Sequence, residues 1–557
     1  MKKILLMLTL MISLIAKTQD IAIENLKNAK KFDWSGSIAA NTNFYHTNGP
    51  EQHSNPFNWN LSGNVNFRIM EMIDLPFSFT VGKFQSAFTR PYLQFGISPS
   101  YKWAKLHLGN RSLTFNPYTL SGQTFMGVGV ELNPKKFRFA AMYGRLKPAV
   151  EIDTTSGLAT IPSFKRTGYG AKIGYGDESN FIDIMYFHAK DDSSSIQSWK
   201  DPELQKIQGD ANPLIPAANN VMGVSAKTTL FKTLIITVDG GISFYDPNLA
   251  DVDIDPKINT IDLSKKLNWA GKSSVSFAVK NQTIKFDYER ILPGYITMGS
   301  AFFNTDMRNL TFSPSGSFAK GKVNYALSTG IQRNNLDKKK TETTQRFILN
   351  GTLSINPAPV FGIDMNYNNF AIDQEAGTVP LKDSVRIRQV NQVFVITPHL
   401  TITVDTSAVH SFTLTGNIND VNDRNIVTKE YGNMKAMMIS FNHTSSFTKR
   451  GNSINSGLNY NTIKTAANIN TQLGATIGYS QAFFQNKLST TANINWNKSL
   501  IDHKSDGSIL NGTLNMSLAV GKRQSFSFSF NMIRTASKQF GDYMETTGSV
   551  GYNLRLK

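Results

Sequence analysis

Residues 57 to 69 read FNWNLSGNVNFRI, in which apolar residues or glycine occupy every second position and asparagine, serine or arginine the positions between. Alternation of period two, kept up over about ten residues, is what a β-strand with two unlike faces requires. That length matches a tilted strand crossing a bilayer; the usual soluble strand has about five or six residues. The pattern recurs almost everywhere. Leu488, Thr490, Ala492, Ile494 and Trp496 alternate with Ser489, Thr491, Asn493, Asn495 and Asn497, and Phe526, Phe528 and Phe530 alternate with Ser525, Ser527 and Ser529. The polar phase is Asn, Ser, Thr and Gly, with few of the Lys and Glu residues that coat a soluble sheet, as a face lining an enclosed wet space should be. Aromatic residues toward strand ends, Trp34 and Phe44 near the start and Tyr543 and Tyr552 near the finish, suit interfacial girdles.

The connections fall into two sets. One is short: Asp74-Leu75-Pro76, Asn133-Pro134-Lys135-Lys136, Gly176-Asp177-Glu178-Ser179, Asn356-Pro357-Ala358-Pro359, Lys449-Arg450-Gly451, Gln485-Asn486-Lys487 and Gly521-Lys522-Arg523. The other is longer and more polar, about 47–56, 148–165, 190–218, 246–270, 371–386, 421–432 and 498–508. Their alternation along the chain predicts an all-β fold: a single transmembrane antiparallel up-and-down β-barrel with short periplasmic turns and long extracellular loops. Strand centres between these connections predict about 26 strands, with 24 as the alternative count, and an even number places both barrel ends on the periplasmic side.

Residues 1–19, MKKILLMLTLMISLIAKTQ, have the basic start and apolar stretch of a secretory signal peptide. The expected organisation is therefore a signal peptide over 1–19, a short periplasmic segment over 20–32 and the barrel over 33–557. Beyond the N-terminus no apolar run reaches about 18 residues, so spanning helices are not expected. The chain contains no cysteine, which excludes disulfide staples and a cysteine-linked lipid anchor. A formal charge of +18 on an exported chain points to anionic lipid and lipopolysaccharide headgroups as partners, and no nucleic-acid-binding module is recognisable.

The last stretch, TGSVGYNLRLK, places Val550, Tyr552, Leu554 and Leu556 on one face and is similar to the C-terminal signal that outer-membrane barrels present to the barrel-assembly machinery. That signal usually ends in an aromatic residue, whereas this chain ends at Lys557. With the alternation described above, the chain resembles the large outer-membrane β-barrels of Gram-negative bacteria, in particular those of Bacteroidota. The resemblance implies an outer-membrane location and an assembly route, without implying a cargo. A plug domain before the first strand, as in TonB-dependent receptors, is not expected from so short an N-terminal segment.

No HExxH spacing or local Ser/His/Asp motif surrounds the eight histidines, so an enzyme is not expected and no catalytic residue or cofactor is assigned. Asp251, Asp253 and Asp255 form a weak calcium candidate, lacking the glycine and distal glutamate of a calcium loop. Asp153-Thr154-Thr155 and Asp383-Ser384-Val385 match a short O-glycosylation triplet. Strand phase assigns Arg68, Arg111, Arg138, Lys172 and Lys285, with Asp183, Asp287, Glu289 and Asp364, to the interior. A lysine or arginine facing lipid at mid-depth costs about 2–4 kcal/mol, so the inward placement is the cheaper one. Three functions fit this pattern: a large loop-constricted or plugged pore for solute or polymer, a docking scaffold within an envelope machine, and a surface adhesin. A periplasmic or surface protein partner belongs to the second.

Overall fold

The structure is a computed structural model, and it describes residues 32–50, 54–83, 93–151, 162–196, 215–246, 267–300, 302–378, 382–405, 407–538 and 541–557. The expectations for the signal peptide, the segment before Phe32, the Asp251–Asp253–Asp255 candidate and the triplet at Asp153 lie outside the described residues.

Every strand pairs antiparallel with its sequence neighbours, and Phe32–Thr47 pairs antiparallel with Gly541–Leu556, so the sheet closes on itself. Among the described residues there are 27 extended segments, but Leu93–Ile97 and Ser100–Tyr101 pair with the same two neighbours and are halves of one interrupted strand, which leaves 26. Closure removes the unpaired edges that an open sheet would present. Twenty-six strands about 4.8 Å apart and tilted by about 40° enclose a ring about 50 Å across, backbone to backbone.

The two faces of the wall differ as the alternation requires. Phe526, Phe528 and Phe530 are 38–44% exposed on the outside, opposite Leu518, Met516 and Leu514 on one neighbour and Tyr552 and Val550 on the other. Ser525, Ser527 and Ser529 point the other way, opposite Asn553, Gly551 and Ser549. Large apolar side chains exposed in this way all round the ring, among them Trp59, Ile184, Phe286, Leu458 and Trp496, have hydrocarbon as their natural solvent. Trp34 and Phe44 belong to this outer surface, and Tyr552 packs there with its ring 5.0 Å from Phe526. Tyr543 does not. It lies opposite Thr535, in phase with the inward serines.

Three expectations about connections are corrected. Asp74-Leu75-Pro76 lies inside the strand Ile73–Lys83; the turn is one step earlier, where Met70 and Glu71 take φ of 51° and 56°. Residues 498–508 do not form a loop: Ile501 pairs with Lys504 across Asp502 and His503, both left-handed at φ 48° and 64°. Thr465–Asn468 on the same rim is also tight, closed by Thr465 N–H donating to Asn468 O at 3.0 Å, so the alternation of short and long connections fades in the C-terminal third. The acidic turn at Asp177 has a local reason, because Asp177 Oδ1 accepts from the N–H groups of Ser179 and Asn180 at 2.9 Å. The Asn180 and Ser179 amides hold this exposed carboxyl below its usual range.

Candidate functional site: the barrel interior

One arc of the inner wall is recessed, and two connections from the long-loop rim fold into it. On the inner face Gly223 stands opposite Gly241. A Cβ at Gly223 would overlap Thr119, and one at Gly241 would overlap the Tyr295 hydroxyl, so side-chain-free wall is what lets residues 113–123 and 292–306 come this close. Leu113, Phe115, Tyr118 and Leu120 of the first connection and Tyr295 and Met298 of the second form one buried cluster with the wall residues Phe125, Ala140, Met142, Met185, Phe187, Val221, Ala270 and Ile291. Tyr118 meets Tyr295 edge-on at 6.4 Å between ring centroids. The cluster covers the phase of the wall that also carries Asp183, Asn219 and Ser225, while Ile182, Ile184, Val224 and Ile242 on the opposite phase stay exposed. The two segments are therefore inside the ring.

Hydrogen bonds fix this clamp to the wall and its halves to each other. Asn116 donates to the backbone carbonyls of Val224 and Gly240 at 3.2 and 3.0 Å. Asn219, fully buried in the wall, donates to Ile296 O at 3.2 Å and accepts from Met298 N–H at 3.0 Å. Between the segments, Tyr295 Oη donates to Tyr118 O at 2.5 Å, Thr297 Oγ1 donates to Thr119 O at 2.6 Å, and Ser121 N–H donates to Gly299 O at 2.9 Å. The Tyr118 hydroxyl donates to Glu289 Oε1 at 2.7 Å. Burial, with that carboxylate accepting the hydroxyl's hydrogen bond, pushes the Tyr118 phenol above its usual range, and burial alone does so for Tyr295. At the end of the second segment, Asp306 receives Lys340 Nζ at 2.5 Å and the N–H groups of Leu336 and Asn335 at 2.8 and 2.9 Å. Burial opposes its ionisation, but these donors outweigh burial and hold the carboxyl below its usual range.

The charged residues singled out by strand phase are mostly brought together around this arc. Arg138 donates to both oxygens of Asp183 at 2.7 and 2.9 Å, and Lys172 Nζ lies 3.9 Å from the same carboxylate. Lys285 sits 2.9 Å from Asp287, which also accepts from Ser274, while Glu289 takes the Tyr118 proton donor. Arg111 donates to Ser78 Oγ at 2.6 Å. Arg68 and Asp74 form a separate pair at 2.8 Å beside the short-turn rim, and Asp364 stands apart with His399 at 3.6 Å. A second bidentate pair, Arg166 with Asp191 at 2.7 and 3.0 Å, has no counterpart among those residues.

A further set has no local sequence motif, because its members come from two strands and the break in a third. His107 lies between Ser98 Oγ at 3.1 Å on Nδ1 and Glu131 Oε1 at 2.7 Å on Nε2. The order is that of a charge-relay set. Ser98 and His107 are only 6% and 4% exposed, however, and they bridge the break between Leu93–Ile97 and Ser100–Tyr101, so the arrangement acts as a tie across three strands. His410 and His443 stack on the outer face with centroids 5.7 Å apart and share Ser445. Among the described residues no group of three His, Asp or Glu side chains is placed to hold a metal ion. Val550, Tyr552, Leu554 and Leu556 lie in the strand that closes the ring. Asp383–Val385 forms a single turn on the long-loop rim.

No protein-family model matches the sequence, and no curated protein matches it. Among solved structures the chain is similar to the P pilus usher translocation pore at 9% identity, covering 93% of this chain and 98% of that one with a TM-score of 0.35. It is similar to BauA, the ferric preacinetobactin receptor of Acinetobacter baumannii, at 10% identity, 94% and 81% coverage and a TM-score of 0.39. It is also similar to OccK9 of Pseudomonas aeruginosa at 9% identity, 94% and 99% coverage and a TM-score of 0.30. Likeness at this level carries no information about cargo.

Proposed function

We propose that the chain is an outer-membrane conduit: a wide barrel, narrowed from one side by the clamp of residues 113–123 and 292–306, through which a solute or polymer passes passively. The observation that carries this reading is the one-sidedness of the interior. Among the described residues the buried apolar cluster gathers on one arc, and the hydrogen-bonded clamp occupies that arc of a ring about 50 Å across. The charged pairs around the buried Asp183 and Asp287 brace the wall behind the clamp. Export through a cleaved signal peptide and an origin in Bacteroidota belong to the same reading.

Lipid and assembly partners follow from the outer surface. Arg145 and Lys190 both stand directly opposite Thr167, one row toward the long-loop rim from Tyr143, Tyr169 and His188, where anionic headgroups such as those of lipopolysaccharide would meet them. The strand holding Val550, Tyr552, Leu554 and Leu556 is the part offered to the barrel-assembly machinery. A docking scaffold is the second reading, favoured by Val385, Ile426 and Tyr431, which are 65–80% exposed on two adjacent connections of the long-loop rim. Planar-bilayer recording of the purified protein separates the two: persistent conducting steps support the conduit, and an electrically silent barrel that copurifies stoichiometrically with a partner supports the scaffold.

A further inference from the structure

Opposite the clamp, the inner wall has a different chemistry. From strand Ala408–Asp423 through the closure to strand Ile73–Lys83, the described inward positions away from the two rims carry no Lys, Arg, Asp or Glu. Asp423, Lys504 and Glu545 lie toward one rim, and Asp33, Arg68, Asp74 and Arg555 lie toward the other. The rest is hydroxyl, amide, glycine and a few small or apolar side chains, and the register arranges the polar ones in continuous rows. Ser453 stands opposite Ser480, Ser480 opposite Thr491, Thr491 opposite Asn515, Asn515 opposite Ser529, and Ser529 opposite Ser549. Across the closure the row runs on through Asn43 to Asn58.

This row crosses the wall from end to end because strands in a barrel are tilted and staggered. Ser453 is the second residue of a strand that begins at the short-turn rim, whereas Asn58 is the second residue of one that begins at the long-loop rim. Each step along the row is one inter-strand spacing, about 4.8 Å. We infer that this ramp is a track for a neutral, hydroxyl-rich chain, a linear glycan, which exchanges hydrogen bonds from one Ser, Thr or Asn to the next while crossing the membrane. Serine and threonine hydroxyls both donate and accept, as do asparagine amides, and they match sugar hydroxyls, which do the same. Many exchangeable weak bonds hold the chain without trapping it. Fixed charges would favour ions, and along this arc the described inward ones are confined to the rims.

The inference rests on the conduit reading, and its test separates the two. Single-channel block of the native protein would be compared for maltohexaose, an anionic oligogalacturonate and a polyethylene glycol of the same hydrodynamic size, which cannot donate hydrogen bonds along its length. Maltohexaose should reside in the channel at least about tenfold longer than the glycol and longer than the anionic chain. A Ser480→Ala/Thr491→Val/Ser529→Ala variant, checked for folding by heat-modifiable gel mobility, should shorten maltohexaose residence severalfold and leave the glycol unchanged. Equal residence for maltohexaose and glycol, or preference for the anionic chain, overturns the track even if the variant fails to fold. Absence of any conductance refutes the conduit instead. Calorimetric titration of maltohexaose into the detergent-solubilised protein then still reads the track, with millimolar saturable binding supporting it and no heat refuting it.

Discussion

Asn219→Ala is the perturbation that separates the clamp most cleanly from the barrel around it. The wild-type amide donates to Ser243 Oγ at 2.9 Å, Phe244 O at 3.2 Å and Ile296 O at 3.2 Å, and accepts from Met298 N–H at 3.0 Å. Alanine leaves Met298 N–H buried without an acceptor, which costs about 1–3 kcal/mol, and removes a direct bond to Ile296 O worth about 1 kcal/mol. Ile296 O keeps Ser243 Oγ at 2.5 Å, so the loss on that side is partial. The sum, about 2–4 kcal/mol, falls on the docked state of residues 292–306 and multiplies the undocked population by about 30- to 700-fold. The strand pairing of Ala218–Leu230 is a backbone property and should survive. Limited proteolysis of the variant in detergent should therefore cleave between 292 and 306 far faster than in the wild type, and single-channel recordings should show a wider or noisier open level. Heat-modifiable gel mobility should remain that of a folded barrel. Wild-type cleavage rates together with wild-type conductance would refute the clamp.

Further expectations come from the same geometry. Gly241→Val should displace both clamp segments and raise the conductance, whereas Gly240→Ala should leave it unchanged, because a Cβ at Gly240 meets nothing closer than 3.6 Å. Asp183→Asn removes the counter-charge of Arg138 and Lys172 from a nearly buried position and should cost about 3 kcal/mol in urea unfolding from micelles, with the Arg138→Met/Asp183→Leu pair costing less. The Asp306 carboxyl is held below its unfolded value of about 3.9, so its contribution is complete above that pH and is lost as pH falls through the lower folded value. Protection of Asn335 and Leu336 against hydrogen exchange, taken relative to the intrinsic rate at each pH, should accordingly fall only in acid, and in Asp306→Asn it should be low and lose that acid dependence.

How far the sequence could be read depends on which physical constraint acted on each segment. Strand phase is legible because lipid and water impose opposite demands on neighbouring side chains, and SFSFSF records both demands in six residues. Turn positions are less legible, since backbone conformation is set by residues that give weak signals. Met70 and Glu71 take left-handed φ next to an Asp-Leu-Pro that has the composition of a turn, and Asp502-His503 turns a hairpin inside what composition marks as a polar loop. The clamp was the feature least open to sequence reading. A signal for it existed in LTFNPYTL, residues 113–120, whose Leu113, Phe115, Tyr118 and Leu120 are too apolar for a solvated connection. The glycines that receive it, Gly223 and Gly241, carry no mark of pairing until the register sets them side by side.

The account depends most on which face of the wall meets lipid, and the absence of cysteine from the chain makes that directly measurable. Single cysteines at Phe528 and at Ser529, spin-labelled in reconstituted bilayers, would be probed for collision with oxygen, which concentrates in hydrocarbon, and with a water-soluble nickel chelate. The label at 528 should favour oxygen and the label at 529 the chelate. The reverse order, or a label at 528 shielded from both, would contradict the account.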